Sequence, residues 1–306
     1  MKKFIKNILL LLLIIFVIDR IIGSIMQIVI NNIEIGGMGR DNYICNKTNE
    51  DVFIFGSSRA VHHYNSSMIE DSLRMTCYNC GDDGNGVFLN FGRLLMCKER
   101  KLPKVIIFDF VPDFDIKQND NHKYLGWLKA RYNRTGISTI FTDIDEKEKY
   151  KMLSYMYRYN TRFLQNILVF LTGKSSDTGI KGYRPLHGQL DSLKINKNHV
   201  DKPLVIDSLK FAYINKFIVE AKDSKLFFVY SPRWYGADTI NVKPLMELCK
   251  KENIPFIDFT TNPKYYHNDI FFKDGAHLNS HGADEFTKDL INILKEEYSI
   301  SLSSEE

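Results

Sequence analysis

The 306-residue chain has little excess of charge of either sign: 41 Lys and Arg stand against 37 Asp and Glu, a formal net charge of +4. That excess is too small for the length to mark a nucleic-acid binder, and no basic cluster is interleaved with aromatics as a binding groove requires. Cysteines are few and odd in number, at positions 45, 77, 80, 97 and 249, which excludes a disulfide scaffold. Cys77-x-x-Cys80 has no second ligand pair to make it a zinc site, so no metal and no cofactor is expected, and buried thiols are the simpler reading. No internal repeat and no long low-complexity tract is present, and only the tail 299–306 reads as frayed.

What is present begins with Lys2, Lys3 and Lys6 ahead of an apolar stretch from Ile8 to Ile18, interrupted at Asp19-Arg20 and resumed from Ile21 to Ile30. The first stretch has the length of a signal-peptide core, yet no Ala-x-Ala-like site follows and the apolar character returns, which favours an uncleaved anchor over residues 1–30. The lysines precede the span, so the positive-inside rule leaves the N-terminus cytoplasmic and carries the rest of the chain across the membrane. A connector over 31–50 then leads into the folded part.

Short apolar runs at 51–55, 75–78, 105–110, 226–230 and 256–259 read as strands covered on both faces. Val87, Phe88, Phe91, Leu94 and Leu95, and later Phe286, Leu290, Ile293 and Leu294, recur at helical spacing as core-facing stripes, with Ser280 as the expected N-cap of the last helix. A short helix is expected from Ser66. Alternating strand and helix gives an α/β fold with a doubly wound parallel sheet over 51–298. Residues 115–202 break the alternation and read as a mostly helical insertion. Its aromatic part, from Tyr150 to Phe170, is expected to pack on the α/β domain or the membrane surface, with a sugar-stacking platform as the alternative, and 173–198 is expected to be a loop centred on Gly182-Tyr183-Arg184-Pro185-Leu186-His187-Gly188.

The chemistry lies in two segments. Phe53-Ile54-Phe55-Gly56-Ser57-Ser58-Arg59 places a hydroxyl at the C-terminal edge of a strand, where open α/β sheets carry their ligands. Asp274-Gly275-Ala276-His277 sets a carboxylate three residues before a histidine, close enough for one loop to orient the imidazole as a base. These segments resemble the first and last blocks of the SGNH/GDSL hydrolase superfamily, a strand ending in Gly-Asp-Ser and an Asp-x-x-His. Tyr78-Asn79-Cys80-Gly81-Asp82-Asp83-Gly84-Asn85-Gly86 is similar to the second block, an Asn and glycine loop that donates a backbone N–H.

The resemblance implies a flavodoxin-like three-layer fold, Ser58 as nucleophile with Ser57 replacing the usual aspartate, His277 as base and Asp274 behind it. It implies oxyanion donors at the N–H groups of Ser58 and Gly84. The third block departs from the family: Val105 to Phe114 holds Asp113 where an Asn donor is expected, and Asn85 is the candidate substitute. Arg59 is a candidate for holding an acidic group of the substrate, against a structural ion pair to Asp82, Asp83 or Asp113. The implied activity is an extracytoplasmic serine esterase or O-acyltransferase acting on acyl esters, acetyl esters above all, of envelope glycans. The alternative is a non-catalytic relative that binds glycan or an envelope partner.

Overall fold

The structure, a computed structural model, describes residues 1–177, 179–191, 193, 195 and 200–300. In chain order it contains α1 (Lys2–Asn31), α2 (Gly36–Asn46), β1 (Val52–Gly56), α3 (Ser58–His63), α4 (Ser66–Leu73), β2 (Cys77–Asn79), α5 (Val87–Lys98), β3 (Val105–Asp109) and α6 (Pro112–Asp115). There follow α7 (Ile137–Ile144), α8 (Glu148–Lys151), α9 (Tyr155–Tyr159), α10 (Phe163–Thr172), α11 (Ser208–Glu220), β4 (Lys225–Tyr230), α12 (Lys243–Lys251), β5 (Phe256–Asp258) and α13 (Ser280–Glu296). They divide into two compact units, one of Met1–Lys47 with Asn121–Asp177, the other of Thr48–Asp120 with Thr178–Glu306.

The second unit is built on five parallel strands in the order β2-β1-β3-β4-β5, the flavodoxin-like order with its reversal between β1 and β3. Every residue of β1 and β3 is buried, as strands covered on both faces must be. The pleat sorts them. Val52, Ile54, Val105, Ile107, Phe227 and Val229 share one core with Phe286, Leu290 and Leu294 of α13. The alternate positions face the other helical layer, where Phe55 and Phe108 each meet Phe217 of α11 edge to face. This is a three-layer doubly wound fold, and the expected strands and helix stripes fall where the apolar periodicity puts them.

The N-cap of α13 is Asn279 and not Ser280. The Asn279 carboxamide accepts the Gly282 N–H at 2.9 Å while its amide donates to the Ile270 carbonyl at 2.8 Å, so one side chain starts the helix and ties down the loop before it. Asn65 starts α4 in the same way, accepting from Met68 and donating to Asp284 at 2.9 Å. The part of the segment 115–202 beyond Asp177 belongs to this unit: Lys181 O accepts the Asn79 N–H at 2.9 Å, extending the pairing of β2, and Leu186 O accepts the Ser280 N–H at 2.7 Å. Positions 178, 192, 194 and 196–199 of the expected loop and insertion, and 301–306 of the tail, lie outside the described residues.

In the first unit α1 is exposed up to Ile18 and built into the fold beyond it, with Gly23, Met26, Val29 and Ile30 buried. Asp19 caps α9, accepting from Ser154 Oγ at 2.5 Å, Tyr155 N at 2.9 Å and Met156 N at 3.1 Å. Gly23 is needed for the approach, since a Cβ there would stand 2.3 Å from Tyr155 Cβ. Asn42 of α2 closes the other end of α1 by donating to the carbonyls of Ile30 at 2.7 Å and Ile33 at 2.8 Å. The aromatic segment therefore packs on the N-terminal helix, a partner that spacing along the chain could not indicate.

Candidate active site

β1 ends at Gly56, whose φ of +144° and whose closeness to Asp109 O, 2.7 Å from an added Cβ, admit no side chain. The turn it allows sends the chain straight into α3, with Ser57 buried under it and Ser58 half-buried at the first helical position. Ser58 Oγ lies 2.8 Å from His277 Nε2 although 219 residues separate them. His277 Nδ1 is 3.0 Å from each oxygen of Asp274. A carboxylate only accepts, so Nδ1 carries the hydrogen and the bare Nε2 faces the serine hydroxyl.

Asp274 Oδ1 also accepts the N–H groups of Ala276 and His277 at 2.8 and 2.9 Å, which folds the loop around the carboxylate. Partial burial works to raise the Asp274 carboxyl, but the hydrogen bond and charge of His277 together with these two N–H groups hold it below the usual carboxylate range. Its side chain remains about half exposed, at 51%. Water therefore screens this carboxylate more than it would a buried one.

Of the expected oxyanion donors, the N–H groups of Ser58 and Gly84 make no hydrogen bond among the described residues. Gly84 has a φ of +69° in the turn of the glycine loop. The loop is held from beneath by Arg93 of α5, fully buried, which donates to Cys80 O at 2.7 Å and to Asp82 Oδ2 at 2.9 Å. Asn85 does not supply the missing side-chain donor: its amide is directed at Asp82 Oδ1, 3.3 Å, and Asp83 O, 3.1 Å, so both hydrogens are taken. Asp113, at the position of the absent asparagine, is exposed at 61% and paired with Lys117 at 2.8 Å.

Arg59 is not a substrate ligand. It is buried, 4% exposed, and donates to Phe110 O at 3.0 Å and Ser231 O at 3.4 Å. Its Nε is 3.7 Å from Asp109, and its guanidinium lies over the ring of Tyr230. The acidic partner is thus Asp109 at the end of β3, none of the three carboxylates expected. Burial pushes the Asp109 carboxyl up, and Arg59 with the hydrogen bonds from Ser231 and Tyr64 offsets only part of that.

Two histidines one turn after Ser58 bear on the same place, with rings edge-on to His277 at 5.9 Å for His62 and 6.2 Å for His63. His63 is fully buried and accepts the Leu278 N–H on Nε2 at 3.0 Å, so Nδ1 must be the protonated nitrogen and it donates to Ser231 Oγ, also at 3.0 Å. Burial, followed by the charges of Arg59, His277 and His62, keeps its pKa well below the ordinary value. His63 is therefore a neutral bracket on the backbone next to His277. His62 Nδ1 meets Arg184 O at 2.6 Å and its Nε2 meets Asp83 at 3.1 Å, while Arg184 itself pairs with Asp83 at 2.5 Å. Burial raises the Asp83 carboxyl, but His62 and Arg184 outweigh it and hold it well below the usual range. The segment from Gly182 to Gly188 thereby reaches the glycine loop.

Sequence reasoning missed Arg93 and Ser231; it placed His62 and His63 one helical turn past Ser58, within reach of the site, without separating their roles. Arg93 had a signal, a charge in the middle of an apolar helix, whereas nothing local distinguished His63 from His62. All five cysteines are buried free thiols. One group able to hold a metal occurs among the described residues, His122, Asp145 and Glu148 in the first unit, where Lys151 at 2.5 Å and Tyr157 at 3.0 Å already satisfy Glu148.

No family model and no curated protein matches the chain. Among solved structures it is similar to a GDSL-like lipase from Bacteroides thetaiotaomicron, with 11% identity and a TM-score of 0.37 over 79% of this chain and 87% of that one. An acetyl xylan esterase structure shares 15% identity with a TM-score of 0.36 over 78% and 96%. Another, from the rumen bacterium Butyrivibrio proteoclasticus, shares 9% with a TM-score of 0.38 over 81% and 64%.

Proposed function

We propose that the protein is a serine esterase or O-acyltransferase, and the observation that carries this is the 2.8 Å approach of Ser58 Oγ to His277 Nε2 with Asp274 behind the ring. His277 takes the serine proton as Oγ attacks an ester carbonyl, and the tetrahedral oxyanion is received by the N–H groups of Ser58 and Gly84. His277 then returns the proton to the departing alkoxide. A water molecule entering the acyl-enzyme through the same base gives hydrolysis, and a sugar hydroxyl gives transfer. The acyl esters are those of envelope glycans in this reading, which draws on the resemblance of the Gly-Ser-Ser and Asp-x-x-His segments and on α1.

The anchor is retained in this reading. Residues from Asp19 onward are part of the packing of the first unit, and a cut beyond Asp19 would remove its hydrogen bonds from Ser154, Tyr155 and Met156 at the start of α9. With Lys2, Lys3 and Lys6 on the cytoplasmic side, the active site works outside the cytoplasm. The test is labelling with an active-site-directed fluorophosphonate: Ser58→Ala abolishes it, and Ser57→Ala, removing a buried hydroxyl with no partner, leaves it measurable. An unlabelled wild-type protein would refute the assignment.

A further inference from the structure

The length of α1 sets a problem that its neighbours solve. A bilayer core of about 30 Å takes roughly 20 helical residues, and the uncharged run that starts at Asn7 is broken at Asp19-Arg20 after 12. A span of about 20 residues beginning there reaches Met26 and carries both charges inside. Neither is left bare. Asp19 is filled by the hydroxyl of Ser154 and the N–H groups of Tyr155 and Met156, while Arg20 donates to Leu153 O at 2.8 Å and lies over the rings of Phe16 and Tyr155. Asp19 and Arg20 also lie 3.9 Å apart, and paired charges are the form in which such residues occur at membrane depth.

α9 is therefore held against the part of α1 that lies within that span, and α10 follows it directly. α10 carries no charge in ten residues, Phe163 to Thr172, and only Asn166 is buried. Leu164, Leu168 and Leu171 are 81%, 61% and 74% exposed at i, i+4 and i+7, a full apolar stripe without a protein partner among the described residues. α1 shows the same pattern beyond its break, where Ile21, Ile25 and Ile28 are exposed opposite the face that packs on α9. At about 15 Å α10 cannot cross a bilayer, and Arg162 and Lys174 bracket it as interfacial anchors do.

We propose that α10 is embedded in the leaflet through which α1 leaves the membrane, with the Leu164–Leu168–Leu171 stripe against lipid acyl chains. The first unit is then a membrane-seated module, and the Asp19–Arg20 pair is the polar joint that fixes its depth. This rests on α1 being a retained span, and the experiment separates the two ideas. The full chain is placed in phosphatidylcholine–phosphatidylglycerol vesicles with and without bromine on the acyl chains, and tryptophan quenching is read for Ile14→Trp in α1, Leu168→Trp in α10 and Glu146→Trp, a 79% exposed charged position of the same unit. Wild-type emission from Trp127 and Trp234, both buried, is subtracted. Strong quenching of Ile14→Trp and Leu168→Trp, with little for Glu146→Trp, is expected. Quenching of Ile14→Trp alone would overturn the proposal while leaving the span intact, and so would a Leu168→Cys variant that crosslinks between copies in place of meeting lipid. Absence of quenching at Ile14→Trp would remove the span itself.

Discussion

Replacing His63 separates a bracket on the Asp274–Leu278 loop from mere bulk in the core. His63→Asn keeps a donor near the Nδ1 position for Ser231 but has nothing at the Nε2 position, so the Leu278 N–H, buried beside His277, loses its acceptor. An orphaned buried N–H costs about 1–3 kcal/mol. If the loop shifts to relieve it, His277 moves off Ser58, and the same energy appears as roughly a 5- to 150-fold fall in acylation rate. His63→Gln places its carbonyl oxygen where Nε2 stood, restores the acceptor and cannot titrate. The assay is the second-order rate of fluorophosphonate labelling at pH 8, with kcat and KM for a chromogenic acetyl ester alongside. A fall in kcat for His63→Asn at near-constant KM, with His63→Gln close to wild type, is expected.

The pH dependence of stability is a second readout of the same residue. Because the folded-state pKa of His63 is depressed, its contribution is complete above the unfolded value near 6.5 and declines as pH falls toward the folded pKa. Wild type therefore loses up to about 1.4 kcal/mol per pH unit below 6.5 from this site, and His63→Gln does not. The groups facing the ring are Arg59, His62, His277, Ser231 and Phe286, and all of them are common to wild type and His63→Gln. Equal labelling rates for wild type, His63→Asn and His63→Gln would refute the bracket.

His277→Ala lowers the acyl-transfer rate by several orders of magnitude, whereas Asp274→Asn costs only about 10- to 100-fold, because the half-exposed carboxylate is screened; single-turnover kinetics measure both. Asn85→Ala leaves kcat within about threefold and lowers stability by about 1 kcal/mol through its lost bonds to Asp82 and Asp83, read by denaturant titration; a 100-fold fall in kcat would return Asn85 to the oxyanion site. Burial pushes the carboxyl of Asp115 up to about 7, opposed by the Val111 N–H and by Lys210. A raised pKa means stability present at low pH and lost as pH rises to that value, so between pH 5 and 7 wild type loses on the order of 2–3 kcal/mol that Asp115→Asn keeps, a difference visible in thermal unfolding.

The sheet, its covering helices and the two segments that bring Ser58 and His277 together were legible because each is written locally. Five apolar runs bounded by turns, two helical stripes and a serine at a strand end are patterns within ten residues of chain, and the Asp274-to-His277 spacing lies within one loop. Asn279 and Ser280 compete for the cap of α13 within a single residue, and only the direction of the Asn279 carboxamide decides between them. The roles of Arg59, His63 and Asn85 were beyond sequence for a different reason: each is fixed by which buried hydrogen-bond partner lies within 3.5 Å, the Phe110 carbonyl, the Leu278 N–H and the Asp82 carboxylate respectively. The pairing of α9 with α1 joins residues 136 positions apart through Asp19 and the N–H of Tyr155. Composition and periodicity determine what each segment must bury; the close-packed fold alone determines against which partner, because that choice is made by volume and hydrogen-bond geometry between segments the chain order does not relate.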